Sequence, residues 1–394
     1  MRFVGIDIGA ERHVVAIVGD DGAVLTGATP FQEDAEGYRQ LRTVMGDPVD
    51  TVVAMEATGH YWQNLFAYLV AEGFAVALLN PLRTHRFAAE DLARTKTDRL
   101  DAVLIARFAA QKRPPATPVT EPVLAELREL VRLRDRLVQE AGDRVRQLHR
   151  LVDLGFPEFT RHIPNLNTRL ATSVLAQYPT AAAFRQVSRA RLAKLRYDER
   201  HRIGPELAQA LLESARQSVG QHQAPAYQVQ VRYACEDLEV FRQRIQELER
   251  DIERRLRDHE IGTLLTTIDG VGPQTAARLI AELGNPGHFR SAAALAAYVG
   301  IVPGLKQSGK HRPVRAALVP LGHARLRAAL WMPTLVATRF NPWLRAYYEQ
   351  LRARGKHAKV ALIAAMRKLL TAVFSVAKSK RPFVPHTKPL EVPA

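Results

Sequence analysis

These 394 residues contain a single cysteine, Cys235. No intrachain disulfide can form, and no Cys-rich zinc cluster either. A reducing compartment, the cytoplasm, is the natural expectation. No His-x-x-x-His pair is present. No run of about 18 uninterrupted apolar residues occurs, so no membrane span is expected. Met1 leads straight into a strand-like run and not into a charged segment followed by an apolar one, so no signal peptide is expected. Internal repeats and low-complexity segments are lacking too. The most uneven shortage is of negative charge. Residues 301–381 hold 17 Lys and Arg against one acid, Glu349, whereas residues 1–300 balance to zero. The whole net charge of +16 therefore sits in the last fifth of the chain. Such a block repels itself unless a polyanion is near. Nucleic acid fits, because each neutralised phosphate releases counterions. An anionic membrane fits less well, because the block lacks the bulky apolar face of a surface helix.

The hydrophobic fraction of 47% suffices for two or three domains. Short apolar runs at Arg2–Ile8, His13–Val18, Ala23–Thr26, Thr51–Met55 and Phe74–Leu79 predict strands, with Asp20-Asp21-Gly22 as a hairpin turn. Helical patterns lie at Ala35–Val44, Tyr61–Ala71 and Thr97–Ala110. The first 112 residues therefore predict an α/β domain, a mixed sheet with flanking helices. Residues 113–122 are Pro-rich and predict a stiff linker. Residues 123–258 predict a helical, coiled-coil region. Val131, Val138, Val145 and Val152 repeat every seven residues, as do Val231, Leu238, Ile245 and Ile252. Arg134 breaks the paired stripe of Leu127, Ala141 and Leu148. Whether these helices pair within one chain or between chains stays open at this point. Residues 259–381 predict a basic, mostly α domain with a helix-hairpin-helix, and 382–394 a disordered tail.

Four carboxylates stand out. Asp7 ends the first strand and Glu56 a later one. Asp98 and Asp101, three residues apart at a helix start, share one face. Gathered together they would repel unless cations lay between them, and all-oxygen donors suit Mg²⁺ or Mn²⁺. Two such ions promote phosphoryl transfer. Taken singly, Asp7 is an ordinary strand-end residue and Asp98 an ordinary helix-start carboxylate. The run Val4-Gly5-Ile6-Asp7-Ile8-Gly9 also fits the first phosphate hairpin of actin-like ATPases, but no second phosphate loop follows.

In the basic block, Gly270-Val271-Gly272 precedes a helix, and its free N–H groups could hold a phosphate. As a bare Gly-x-Gly it equally serves as a tight turn. Ser308 lies among Lys306, Lys310, His311 and Arg312, with Arg315 close behind. Cations there could hold a phosphodiester. Without further context a loop serine is a bystander.

The residues together resemble a known family, the DEDD transposases of the insertion sequence 110 group. The resemblance is carried by Gly5-Ile6-Asp7, Met55-Glu56-Ala57-Thr58-Gly59, Lys96-Thr97-Asp98-Arg99-Leu100-Asp101-Ala102 and the helix around Leu127–Arg150. It continues through Gly270-Val271-Gly272-Pro273, Leu295 to Pro303, Ser308-Gly309, Asn341-Pro342 and Met366 to Leu370. It implies an RNase H-like, RuvC-type N-terminal domain binding divalent metal through Asp7, Glu56, Asp98 and Asp101. It implies Ser308 as a nucleophile joined to DNA, and a composite site shared between subunits of a homo-oligomer, dimer or tetramer. It also implies a structured non-coding RNA as guide. Gly270, Gly272, Lys306, Lys310, Arg312 and Arg315 are the candidate nucleic-acid contacts. Two positions depart from the pattern: one glycine, not two, follows Ser308, and Gly322-His323 stands where Gly-Asn is common. The expected function is thus a DNA recombinase of an insertion sequence. The alternative is a Holliday-junction endonuclease using metal-activated water, and a third reading is a catalytically dead nucleic-acid-binding scaffold.

Overall fold

The structure is a computed structural model that describes residues 1–90, 98–306, 314–318 and 322–385, with backbone alone for Glu90, Asp98, Arg99 and the strands at 303–306 and 314–318. The chain divides into two compact units, Met1–Val119 and the residues from Thr120 onward.

In the first unit, β1 (Arg2–Asp7), β2 (Arg12–Gly19) and β3 (Val24–Gln32) form an antiparallel meander. The β2–β3 turn closes where Gly22 takes φ +78° and its N–H donates to Gly19 O. Then come α1 (Ala35–Met45), β4 (Thr51–Glu56), α2 (Trp62–Ala71) and β5 (Ala75–Leu79). The sheet order is β3-β2-β1-β4-β5, with β4 parallel to both β1 and β5. A mixed five-stranded sheet with flanking helices is what the short apolar runs predicted. The third strand runs six residues beyond the predicted Thr26. A helix absent from the sequence reading, α3 (Pro81–Glu90), precedes α4 (Asp98–Lys112). The Pro-rich stretch is also less detached than a free linker. The Thr117 N–H donates to Val76 O at 2.7 Å, and its hydroxyl accepts from Leu78 N–H at 2.8 Å, laying the chain against β5.

Period-two alternation sends successive residues of a strand to opposite faces. Val4, Ile6, Val53 and Met55 pack in one apolar core with Leu41 of α1 and Leu65 and Leu69 of α2. Phe3 and Ala54 pack in another, under Ile105, Ala106 and Ala109 of α4. Gly5 lets α4 approach. A Cβ there would lie 2.2 Å from Ala102 O and 2.3 Å from Ala106 N, both backbone atoms.

The second unit opens with α5 (Pro122–Gly155), followed by α6 (Phe159–His162), α7 (Arg169–Gln177), α8 (Ala181–Arg185), α9 (Arg189–Ala193), α10 (Pro205–Arg216) and α11 (Pro225–Arg257). Helices α5 and α11 pack on each other within the chain. Arg134, which breaks the apolar stripe in α5, meets Glu249 of α11 at 2.5 Å. Val138 is 40% exposed, so the seven-residue repeat does not map onto one continuous buried seam. Near one end of the pair, Leu148, Leu151, Val152, Val231, Ala234 and Leu238 join a core with α6–α10. Toward the other, Leu124, Leu127, Val131, Ile252 and Leu256 join a core with the helices that follow.

Those helices are α12 (Glu260–Leu265), α13 (Pro273–Leu283), α14 (Ala292–Val299), α15 (Ala324–Phe340), α16 (Pro342–Ala353) and α17 (Ala358–Ser379), with the antiparallel pair β6 (Pro303–Lys306) and β7 (Val314–Leu318) between α14 and α15. Among the described residues α17 alone is long and apolar enough to cross a membrane. Ten of its residues, from Ala361 to Ala377, are buried in this unit, so it serves as a core helix.

Candidate active site and nucleic-acid-binding elements

Parallel pairing places Ile6 opposite Met55. Asp7 and Glu56, the next residue of each strand, therefore stand side by side at the end of adjacent strands about 4.8 Å apart. By alternation from Phe3 and Ala54 they belong to the face that α4 covers. Helix α4 starts at Asp98, and Asp101 adjoins the Ala102 carbonyl that meets Gly5. The fold thus brings the Asp7, Glu56 and Asp101 backbones to one end of the sheet, at the ends of its inner strands β1 and β4, with Asp98 one helical turn from Asp101. The side chain of Asp98 lies outside the described residues. Among the described residues no group of three or more His, Cys, Asp and Glu side chains is gathered around one point as a metal site. The donor set itself, carboxylate oxygen throughout, matches a hard divalent ion.

Two supports of this site were not found in the sequence. Thr84 of α3 is 1% exposed, and its hydroxyl donates to Glu56 Oε1 at 2.5 Å. His13, fully buried at the start of β2, accepts from the Gly9 N–H through Nδ1 at 3.2 Å. Its Nε2 faces Glu33 Oε2 at 2.5 Å. Glu33 also accepts from the Tyr38 hydroxyl (2.8 Å) and from Asn64 Nδ2 (3.2 Å). Burial works against the charge on Glu33, but these hydrogen bonds outweigh it and hold the carboxyl below its usual range. A histidine opening an otherwise apolar strand was the available signal for the first pair. Pro81 after Asn80, a helix-start pattern, was the signal for α3.

In the second unit, α12, a turn and α13 form the region of the predicted hairpin. Gly270 takes φ +99°, and a Cβ there would lie 2.5 Å from Ala337 Cβ of α15. Space around the Cα of Gly272 is open. The buried Asn341 ties this turn to the α15–α16 corner: its Nδ2 donates to Asp269 O at 3.2 Å, and its Oδ1 accepts from the Trp343 and Leu344 N–H groups. Lys306 ends β6 and Arg315 lies in β7, opposite Leu305. Ser308, Lys310 and Arg312 lie outside the described residues. Gly322-His323 keeps the capping role that an asparagine would have: His323 Nδ1 accepts from Leu326 N–H at the start of α15, and Nε2 lies 3.4 Å from Glu282. Cys235 is no rival nucleophile, because burial pushes its thiol up to about 12.

A family model described as a DEDD transposase of the IS110 type matches residues 4–157, and a second, described as "Transposase IS116/IS110/IS902 family", matches residues 262–349. The chain is 29% identical over 309 residues to the insertion element IS110 43.6 kDa protein of Streptomyces coelicolor, covering 77% of this chain and 76% of that one. It is 27% identical to the insertion element IS116 44.8 kDa protein of Streptomyces clavuligerus, over 97% of this chain and 96% of the relative. It is likewise 27% identical to the pilin gene-inverting protein of Moraxella bovis, over 84% and 80%. Matched toward both ends by models of one group, and along most of its length by insertion-element proteins, the chain belongs to the IS110 family of DNA transposases.

Proposed function

We propose that this transposase recombines DNA by metal-dependent cleavage and strand transfer, with Asp7, Glu56, Asp98 and Asp101 as metal ligands and Ser308 as nucleophile. The observation that supports it most is the register of β1 and β4, which sets Asp7 beside Glu56 under the start of α4. Divalent ions bound there would offset charge on the phosphoryl oxygens and the leaving oxygen. The chain's own part is positional. Thr84 restricts Glu56, and Gly5 sets the height of α4 over Asp7. In the cleavage step a bond forms between Ser308 Oγ and phosphorus, and the bond from phosphorus to a deoxyribose oxygen breaks. The serine proton ends on that departing oxygen. Strand transfer reverses the step with the hydroxyl of another strand.

Support for the serine, for a guide RNA and for a homo-oligomer comes from the family resemblance. Gly270, Gly272, Lys306, Lys310, Arg312 and Arg315 are assigned to nucleic-acid contacts on the same ground. A relative named for inverting a gene fits site-specific recombination.

A nicked suicide DNA substrate tests the reading. The wild-type protein with Mg²⁺ should yield a protein–DNA adduct on the peptide carrying Ser308, and none with EDTA or in Asp101→Asn. Ser308→Ala should bind DNA and form no adduct. Cleavage by Ser308→Ala at the wild-type rate would favour the endonuclease alternative. Sequencing of nucleic acid that co-purifies with the full chain tests for the guide RNA.

A further inference from the structure

Helix α17 is a core helix on one side and a cationic strip on the other. Its buried residues run from Ala361 to Ala377. Its exposed residues include Lys359, Arg367, Ser375 and Lys378, and the turn before it exposes Arg354 and Lys356. No acidic residue occurs between Glu349 and the end of the described chain. Among the described residues Arg354, Lys356, Lys359, Arg367 and Lys378 form no ion pair. The long helices α5 and α11 of the same unit differ in carrying acids among their arginines, and several of these are matched, as in Arg132–Glu282, Arg134–Glu249, Arg144–Asp237 and Arg255–Glu126. Arg352 holds the corner in shape, donating to Lys356 O at 2.6 Å. Unpaired cations beside one another cost free energy that a polyanion would remove.

We infer that the outward face of α17, with the Arg354–Lys359 corner, is a surface that tracks the phosphates of duplex DNA. This rests on the transposase reading and names the surface it uses. The twenty residues from Lys359 to Lys378 span about 28 Å of helix, about eight base pairs of duplex. The three exposed cations of the helix recur along that line, and bulky apolar exposure on it is limited to Val360 at its start. The strip therefore suits a regular line of phosphates better than it suits insertion into lipid. Such contacts carry no sequence information, and they position the protein along the duplex.

The test is fluorescence anisotropy of the nuclease-treated full chain with a random-sequence 30-base-pair DNA duplex, across a KCl series. The triple variant Lys359→Gln, Arg367→Gln, Lys378→Gln should flatten the log–log salt slope by about 2 to 3, about 0.9 per lost phosphate contact. Affinity at the lowest salt should fall at least about tenfold. A control triple, Arg146→Gln, Arg169→Gln, Arg254→Gln, removes the same charge from ion-paired sites on other helices and should leave the slope unchanged. A wild-type slope in the α17 variant, or an equal loss in the control, overturns the assignment. So does loss of binding to phosphatidylserine vesicles with DNA binding intact, which would make the strip a membrane surface. Failure of the wild-type chain to bind the duplex at all would overturn both this assignment and the proposed cleavage of DNA, whereas a wild-type slope in the α17 variant overturns this assignment alone.

Discussion

One imidazole ring, that of His13, joins two loops: Nδ1 takes the Gly9 N–H, and Nε2 meets Glu33 Oε2 at 2.5 Å. Gly9 is two residues past Asp7, so the ring governs how β1 ends. The bond from Gly9 also assigns the tautomer, with the proton on the nitrogen that faces Glu33. His13→Ala would empty a fully buried site and strip Glu33 of a donor. The first unit should lose about 2–4 kcal/mol in urea unfolding. The turn after Asp7 should exchange its amide hydrogens faster. Protection equal to wild type would show that the ring has no hold on the turn.

Gly5→Ala probes the seat of α4. The added methyl would meet backbone atoms of Ala102 and Ala106, which cannot rotate away. Helix α4 must rise, or the sheet must bend, at a cost of about 3 kcal/mol or more. DNA cleavage should fall even at temperatures where the variant stays folded, since Asp98 and Asp101 ride on that helix. Wild-type melting and wild-type activity together would contradict this packing.

Acid should weaken the second unit through Glu282. Burial disfavours its charge, but hydrogen bonds from His323 and from both nitrogens of Arg132 more than compensate, and the carboxyl sits at about 2. A depressed carboxylate stabilises the folded state above its unfolded pKa of 4.5, and this is lost as pH falls from there toward 2. Melting temperature against pH should therefore drop less steeply across that window in Glu282→Gln than in wild type. Parallel curves would remove Glu282 from the account.

Asn341→Ala should cost about 2 kcal/mol, since it removes a helix cap and leaves a buried carbonyl unpaired. Asn341→Asp keeps the cap acceptor but sets a carboxylate against Asp269 O, and should fare no better. Equilibrium unfolding of the two variants decides this, and an aspartate variant as stable as wild type would assign the residue to capping alone.

Much of the first unit was legible because its signals are local. Short apolar runs mark β1 and β4, Asp7 and Glu56 stand where those runs give way to a carboxylate, and period two puts both on one face. The tie of Thr84 to Glu56 was not legible, because it needs a helix 28 residues away to fold back on a strand end. Sequence period alone could not tell which residues of α5 and α11 face each other. Val138 satisfies the repeat and still lies 40% exposed, while Arg134 interrupts it and finds Glu249. Asn341 reads in sequence as an ordinary cap before Pro342. Its second bond, to Asp269, joins two motifs that the sequence shows only apart.

Helices α5 and α11, of 34 and 33 residues, each contribute to two apolar cores. At 1.5 Å per residue such a helix is about 50 Å long. The pair therefore acts as a strut whose length sets the reach between its two ends. Removing seven residues from the middle of both helices would shorten that reach by about 10 Å and turn each end by only about 20°. Reach and facing direction are thus separable in this molecule. A ladder of such deletions would convert the spacing demanded by a bound substrate into a ruler measurement.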